Sequence, residues 1–246
     1  MGRYTHLKEE DPWIVLNEPY SESNIAGIIR NAHLLTDDID DCVGPSPAKE
    51  IAFGKLKEPA YLVNPKFLLW CGLTGFKLAT KGKSAESETW KQFIEYFLRD
   101  PAELRKITSE YTRESIPERL YPNVQRFYGL LPNGMTKIFL SRNIAPVCDA
   151  YGLALGFSDV WAEQFDKKTS IERVMSLYPE CKSYLVKGDS EEDAEVLDVL
   201  HHAERQNRID GVLGIYIAGN PDLMNRKFDV NIGRNYGKLV SLLKTT

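Results

Sequence analysis

His33-Leu-Leu-Thr-Asp-Asp-Ile-Asp-Asp-Cys-Val-Gly44 is the stretch on which the reading of this chain turns. An apolar run stops abruptly at carboxylates and is followed by Gly44, Pro45 and Pro47, the pattern of a buried strand that ends in a loop. Asp38 and Asp40 flank Ile39, so an extended or turning backbone brings both acids toward one site while Ile39 points into the core. A carboxylate can attack phosphorus and form an acyl phosphate, which splits one difficult displacement into two easier ones. A second acid two residues on can protonate the leaving oxygen and later deprotonate water.

Outward from this stretch the pattern alternates. Strands are expected over 136–140, 157–161, 183–186 and 212–218, and helices over 145–151, 170–177, 193–205 and 236–243. Such alternation implies parallel strands with helical crossovers on both faces. Upstream, Trp13-Ile-Val-Leu reads as a short strand or docking extension and 23–31 as a helix, together an N-terminal arm over 1–30. Between the two halves, segments 48–56, 65–78, 86–99, 101–110 and 115–128 have helical periodicity with Pro or Ser at their starts. The expectation is an α/β fold: a Rossmann-like parallel sheet core from 1–44 plus 136–246, interrupted by a mostly α-helical insertion over 45–135. A chain of 246 residues accommodates such a core and insertion.

In open α/β sheets functional groups gather beyond the carboxyl ends of the strands. That rule selects Asp38 and Asp40 after the first strand, Ser141 after the second, and Asp189 with Asp193 after the fourth. Lys168 stands before the helix that follows the third, with Lys167 beside it able to take the same role. Phosphoryl transfer demands charge neutralisation around the phosphoryl oxygens. Mg²⁺, a hard cation, takes oxygen ligands such as the carboxylates of Asp38 and Asp189. A lysine supplies compact positive charge and a serine a hydroxyl donor.

These residues together resemble the haloacid dehalogenase-like (HAD) superfamily. Asp38-Ile-Asp-Asp-Cys-Val43 is similar to its first motif, Ile138-Phe-Leu-Ser141 to its second, Lys168-Thr-Ser-Ile171 to its third and Gly188-Asp-Ser-Glu-Glu-Asp193 to its fourth, in the correct order. The insertion lies where members with a helical C1-type cap carry it. The resemblance implies a Mg²⁺-dependent phosphatase acting on small phosphorylated metabolites through an aspartyl phosphate on Asp38. It implies Asp40, Ser141 and Lys168 as its helpers and Mg²⁺ held among Asp38, Asp40, Asp189 and Asp193. The cap would close over the substrate, and Trp70, Lys77, Arg113 and Arg126 are candidates to line the cleft. Two positions depart from the pattern: Asp37 adds a like charge before the presumed nucleophile, and Cys42 replaces the commoner Thr. A phosphomutase of the same fold is one alternative. The other is a catalytically silent Mg²⁺- and phosphate-binding module in which Asp37 spoils the nucleophile.

Composition excludes several classes. A formal charge of −4 offers no basic footprint for nucleic acid. Apolar runs such as 60–63 and 67–71 fall far short of the roughly 20 residues that span a bilayer. The beginning, Met1-Gly-Arg-Tyr-Thr-His6, lacks the apolar core of a secretory signal, so a cytoplasmic location is expected. Cys42, Cys71, Cys148 and Cys181 are widely spaced and read as reduced thiols. His201 and His202 are adjacent on a helix, face different directions and read as a polar face rather than a metal pair. Gly152–Gly156 reads as a turn.

Overall fold

The computed structural model describes residues 11–17, 19–81, 86–218, 225 and 227–245, with side chains omitted over 75–81 and at 86. The Met1–His6 stretch, Asn220 and the side chain of Lys77 therefore lie outside the described residues.

Strand β2 (Leu34–Asp37) is buried along its whole length and sits in the interior of the sheet. Leu34 packs into one core cluster and Leu35 into the other, because successive side chains of a strand leave on opposite faces. Burial on both faces is why this strand reads as an apolar run rather than an alternating one. It pairs in parallel with β3 (Thr136–Leu140) and β5 (Ser183–Gly188). With β1 (Ile14–Leu16), β4 (Asp159–Trp161), β6 (Gly211–Ala218) and β7 (Val230–Gly233) the order is β1-β7-β6-β5-β2-β3-β4. Every pairing is parallel except β1 with β7, so the expected parallel α/β sheet is borne out.

Helix α1 (Glu22–Asn31) packs on one face of the sheet. All regular structure between β2 and β3 is helical among the described residues: α2 (Pro47–Lys55), α3 (Pro59–Leu62), α4 (Pro65–Lys81), α5 (Glu86–Phe93), α6 (Pro101–Glu110) and α7 (Val124–Leu130). A π-helical stretch, Ile94–Leu98, continues α5, and a 3₁₀ turn, Ile116–Arg119, precedes α7. Tyr61, Phe67, Phe93 and Phe97 form an aromatic cluster inside this block, with centroid separations from 5.0 to 6.4 Å. Beyond β3, α8 (Ala145–Leu155) and α11 (Gly237–Lys244) share the face of α1, while α9 (Lys167–Leu177) and α10 (Glu191–Arg205) cover the other.

Three differences from the sequence reading have local causes. The helix expected over 115–128 is broken at Pro122 and Asn123; the latter has φ 66°, which is incompatible with helix continuation. Gly152 lies within α8, where an added Cβ would stand 2.5 Å from Val160, and only Gly156, at φ 69°, makes a turn. Strand β7 was missed because its four residues are too short to show a period.

The loop after β2 runs directly against the helical block. A Cβ at Gly44 would stand 2.2 Å from the Arg119 carbonyl oxygen, and Tyr121 N–H donates to the Val43 carbonyl at 2.9 Å. Gly44→Ala is accordingly expected to lower unfolding free energy by about 1–3 kcal/mol, the usual cost of overpacking a closed contact, measured by denaturant titration. An unchanged midpoint would mean that the 116–121 segment moves aside freely.

Candidate active site

Beyond Asp37 the chain turns back on itself through Asp41, which has φ 53°. Asp38 is fully buried: its Oδ1 accepts from Ile39 N–H at 2.7 Å and its Oδ2 from Lys167 Nζ at 2.7 Å. Burial pushes this carboxyl up, but the ammonium of Lys167 and the guanidinium of Arg142 outweigh it and hold Asp38 below the usual carboxylate range. It is therefore ionised at neutral pH, the state a nucleophile requires.

Lys167, not Lys168, is the lysine of the site, which corrects the sequence assignment. Helix α9 begins at Lys167, three residues earlier than expected, with Asp166 as N-cap. Lys167 shares the buried face of Ser170, Ile171 and Val174, whereas Lys168, about 100° further round the helix, is exposed. The Lys167 ammonium also donates to Asp193 Oδ1 at 2.6 Å; burial opposes its charge, but Asp193 and Asp38 hold its pKa above normal.

Asp40 is held differently. Its Oδ1 accepts from Ser46 Oγ and from Ala48 N–H, and its Oδ2 from Asn143 Nδ2. Burial, reinforced by the charge of Asp38, raises its pKa to about 6. Two acids two residues apart are thus driven in opposite directions, one ionised and one poised to exchange a proton near neutrality. Ser141, at the end of β3, is buried and its hydroxyl accepts from Asn143 N–H at 3.3 Å.

Donor atoms of Asp38, Asp189 and Asp193 lie within 4.8 Å of one another. The Asp40 carboxylate does not belong to this cluster and is engaged by Ser46, Ala48 and Asn143 instead. Asp193 is also largely committed: its Oδ2 accepts from Asp189 N–H, Ser190 N–H and Ser190 Oγ, closing the capping box of α10. Gly188 is required there, since a Cβ would meet the Asp193 side chain at 2.2 Å. Asp189 is the carboxylate without a strong partner. Among the described residues its side chain takes only a weak contact from the Cys42 thiol at 3.8 Å, and burial with the charges of Asp193, Asp38 and Asp41 pushes its pKa well up. A weakly partnered carboxylate facing a second one, all hard oxygen donors, fits a divalent cation such as Mg²⁺. Cys42 points its thiol at this cluster and is buried.

A cleft of about 650 Å³ reaches the site at Asp40 and Asp189 and is lined by Ser46, Lys49, Trp90 and Arg142 among others. Of the insertion residues proposed from sequence, Trp70 borders a separate apolar groove, Arg113 another surface pocket, and Arg126 bonds Asn123. Trp90 reaches the cleft instead, its indole donating to the Arg142 carbonyl at 3.1 Å. Arg142 and Asn143 were overlooked although they immediately follow Ser141 at the strand end. Ser46 carried a signal too, as an N-cap preceding Pro47. Nothing in the sequence marked Trp90. His201 and His202 bond Glu204 and Gln206 on the helix surface, as expected of a polar face.

The ionisation of these acids gives a pH dependence. Asp37 and Asp40, each raised to about 6, and Asp189, also raised, keep protons in the folded state that the unfolded chain releases above about pH 4. Stability of the metal-free protein should therefore fall as pH rises from about 4 to 6. Asp38, with its lowered pKa, exchanges its proton below that window. Mg²⁺ favours the ionised cluster, so its addition should raise Tm more at pH 7.5 than at pH 5 in thermal scans. Equal gains at both pH values would show that these carboxylates do not hold the ion.

No family model matches the sequence, and no curated protein matches it in sequence. Solved structures do. A haloacid dehalogenase-like protein from Burkholderia xenovorans LB400 aligns with TM-score 0.52 at 13% identity, over 84% of this chain and 96% of that one. A substrate-bound phosphoserine phosphatase aligns with TM-score 0.49 at 14% identity, over 87% and 99%. The first of these shows a shared haloacid dehalogenase-like fold, as the motifs implied. No described helix is long and apolar enough to cross a membrane.

Proposed function

We propose that this chain is a Mg²⁺-dependent phosphoric monoester hydrolase that forms an aspartyl phosphate on Asp38. The observation that carries the reading is the ionised Asp38 carboxylate, 2.7 Å from the Lys167 ammonium and beside the weakly partnered carboxylate of Asp189 at the carboxyl edge of the sheet. Asp38 attacks phosphorus, and Asp40 gives its proton to the departing alkoxide. After the product leaves, the same Asp40, now ionised, takes a proton from water, which attacks phosphorus and frees Asp38. Lys167 and Arg142 offset the negative charge that Asp38 and the phosphoryl group bring together. Asp38 and Asp189 would hold Mg²⁺, which supplies electrostatic stabilisation of the phosphoryl oxygens when bound.

The helical block acts as a cap that sets substrate choice, with Trp90 and Lys49 its contributions to the cleft. Small phosphorylated metabolites are the substrate class that a 650 Å³ cleft favours. Asp37, the residue that raised the possibility of a silent module, is paired with Lys187, and Asp38 beside it stays ionised, which supports turnover. The test is a phosphate-release screen across metabolite phosphates with Mg²⁺ and with chelator. Release that requires Mg²⁺ supports the proposal; isomerisation of a sugar phosphate without release would favour a mutase, and binding without either would favour the silent module.

A further inference from the structure

We infer that Lys187 and Tyr236 are positioning residues that clamp the nucleophile loop from behind at both of its ends. Asp37 leaves β2 on the face opposite to Asp38 and meets its register partner on β5, Lys187, at 2.8 Å. The Tyr128 hydroxyl, from α7, donates to the other carboxylate oxygen of Asp37. The same Lys187 ammonium donates to Tyr236 Oη at 2.7 Å, and Tyr236 Oη donates to the Cys42 carbonyl at 2.8 Å. One cation thus ties the residue before Asp38 to the residue that closes the loop.

All four side chains are buried, Asp37 at 2% and Lys187 at 1% exposure, and the ammonium lies 5.1 Å and 5.6 Å from the ring centroids of Tyr236 and Tyr128. A buried ion pair is a poor device for stability alone, because an apolar pair of similar volume packs as well without the desolvation cost. Leu185, two residues earlier on the same strand and in the cluster on that face, is the kind of residue this environment otherwise holds. What the ionic network adds is fixed attachment: an ion pair and the Tyr128 hydrogen bond hold the start of the loop, and the Tyr236 hydrogen bond holds its end. Asp38 lies between those anchors, and Cys42, whose carbonyl is one of them, points its thiol at Asp189. The clamp therefore sets the nucleophile and the cation cluster relative to one another, where displacements near 1 Å cost on the order of 100-fold in rate.

This inference rests on the phosphatase reading, and its test separates the two. The full chain, Tyr236→Phe and the paired replacement Asp37→Leu with Lys187→Met are compared for Tm, for kcat and KM with p-nitrophenyl phosphate and saturating Mg²⁺, and for amide hydrogen exchange over 38–43. The expected result is kcat lowered about 10-fold in Tyr236→Phe and about 100-fold in the paired variant, with KM within twofold. Tm should stay near wild type in Tyr236→Phe and fall only modestly in the paired variant, where the buried Tyr128 hydroxyl loses its acceptor, while exchange of the loop amides rises in both. A paired variant that keeps its Tm and its kcat overturns the inference. If wild type itself shows no turnover, the phosphatase reading fails, and the clamp is judged by exchange alone: faster loop exchange in the folded variants supports it and unchanged exchange overturns it. If the paired variant unfolds, Tyr236→Phe, which removes one hydroxyl and keeps the ring, decides by the same two readouts.

Discussion

Asp38→Asn is expected to lower kcat for phosphate release by about 10⁴-fold or more while leaving the protein folded. Asparagine has the shape of aspartate but no anionic oxygen with which to attack phosphorus, and it gives up one of the two carboxylates that face the cation site. Its carbonyl can still accept from Ile39 N–H, and Lys167 keeps Asp193 as a partner, so the surrounding structure retains its bonds. The loss should therefore appear in kcat and in Mg²⁺ affinity, not in solubility or secondary structure. Mass spectrometry of the quenched wild-type reaction should locate the phosphoryl group on Asp38. Activity in Asp38→Asn above a tenth of wild type, with Mg²⁺ saturating, would remove this residue from the role of nucleophile.

The second large effect separates two adjacent lysines. Lys167→Met leaves the carboxylates of Asp38 and Asp193 buried with their shared cation gone. Breaking a buried pair in this way costs about 3–5 kcal/mol. The phosphoryl group then approaches a site that has lost its nearest ammonium, so kcat is expected to fall by about 10³-fold. Lys168→Met removes an exposed charge and should change stability by less than about 0.5 kcal/mol and leave kcat as it was. Denaturant titration and steady-state kinetics on the two variants read both effects. Equal behaviour of the two, or a reversal, would mean that α9 presents a different face to the sheet.

The contrast between these lysines shows what the sequence makes legible. Adjacent positions differ by about 100° on a helix, so choosing between them requires knowing which apolar positions face inward. Ile171 is three residues from Lys168 and four from Lys167, and both spacings are compatible with one helical face. The actual start of α9, at Lys167, three residues before the helix expected from the apolar spacing, is set by the Asp166 cap. By contrast, β2, β3, β5 and β6 were readable because each is a run of apolar residues between polar or turn-forming ones. The grouping of Asp38, Asp189 and Asp193 followed from the rule that strand ends share one edge. Asp37 was read only in part, because its partner was hidden. A charged residue beside a nucleophile looks like repulsion until the register of β2 with β5 places Lys187 opposite it, and no local pattern predicts register between strands about 150 residues apart. Trp90 was invisible because its place in the cleft depends on how the helical block sits on the sheet.

Strand β1 carries a practical consequence. Its three residues pair antiparallel with β7, and the Trp13 indole lies over Gly233, where an added Cβ would stand 2.6 Å away. The opening segment thus covers a border that would otherwise present a row of free amides and carbonyls to any neighbouring molecule. A protein shortened to begin at Ser21 should keep its site residues yet self-associate, which light scattering at rising concentration would reveal. Trimming that removes Trp13 through Leu16 therefore trades a shorter chain for a sticky flank.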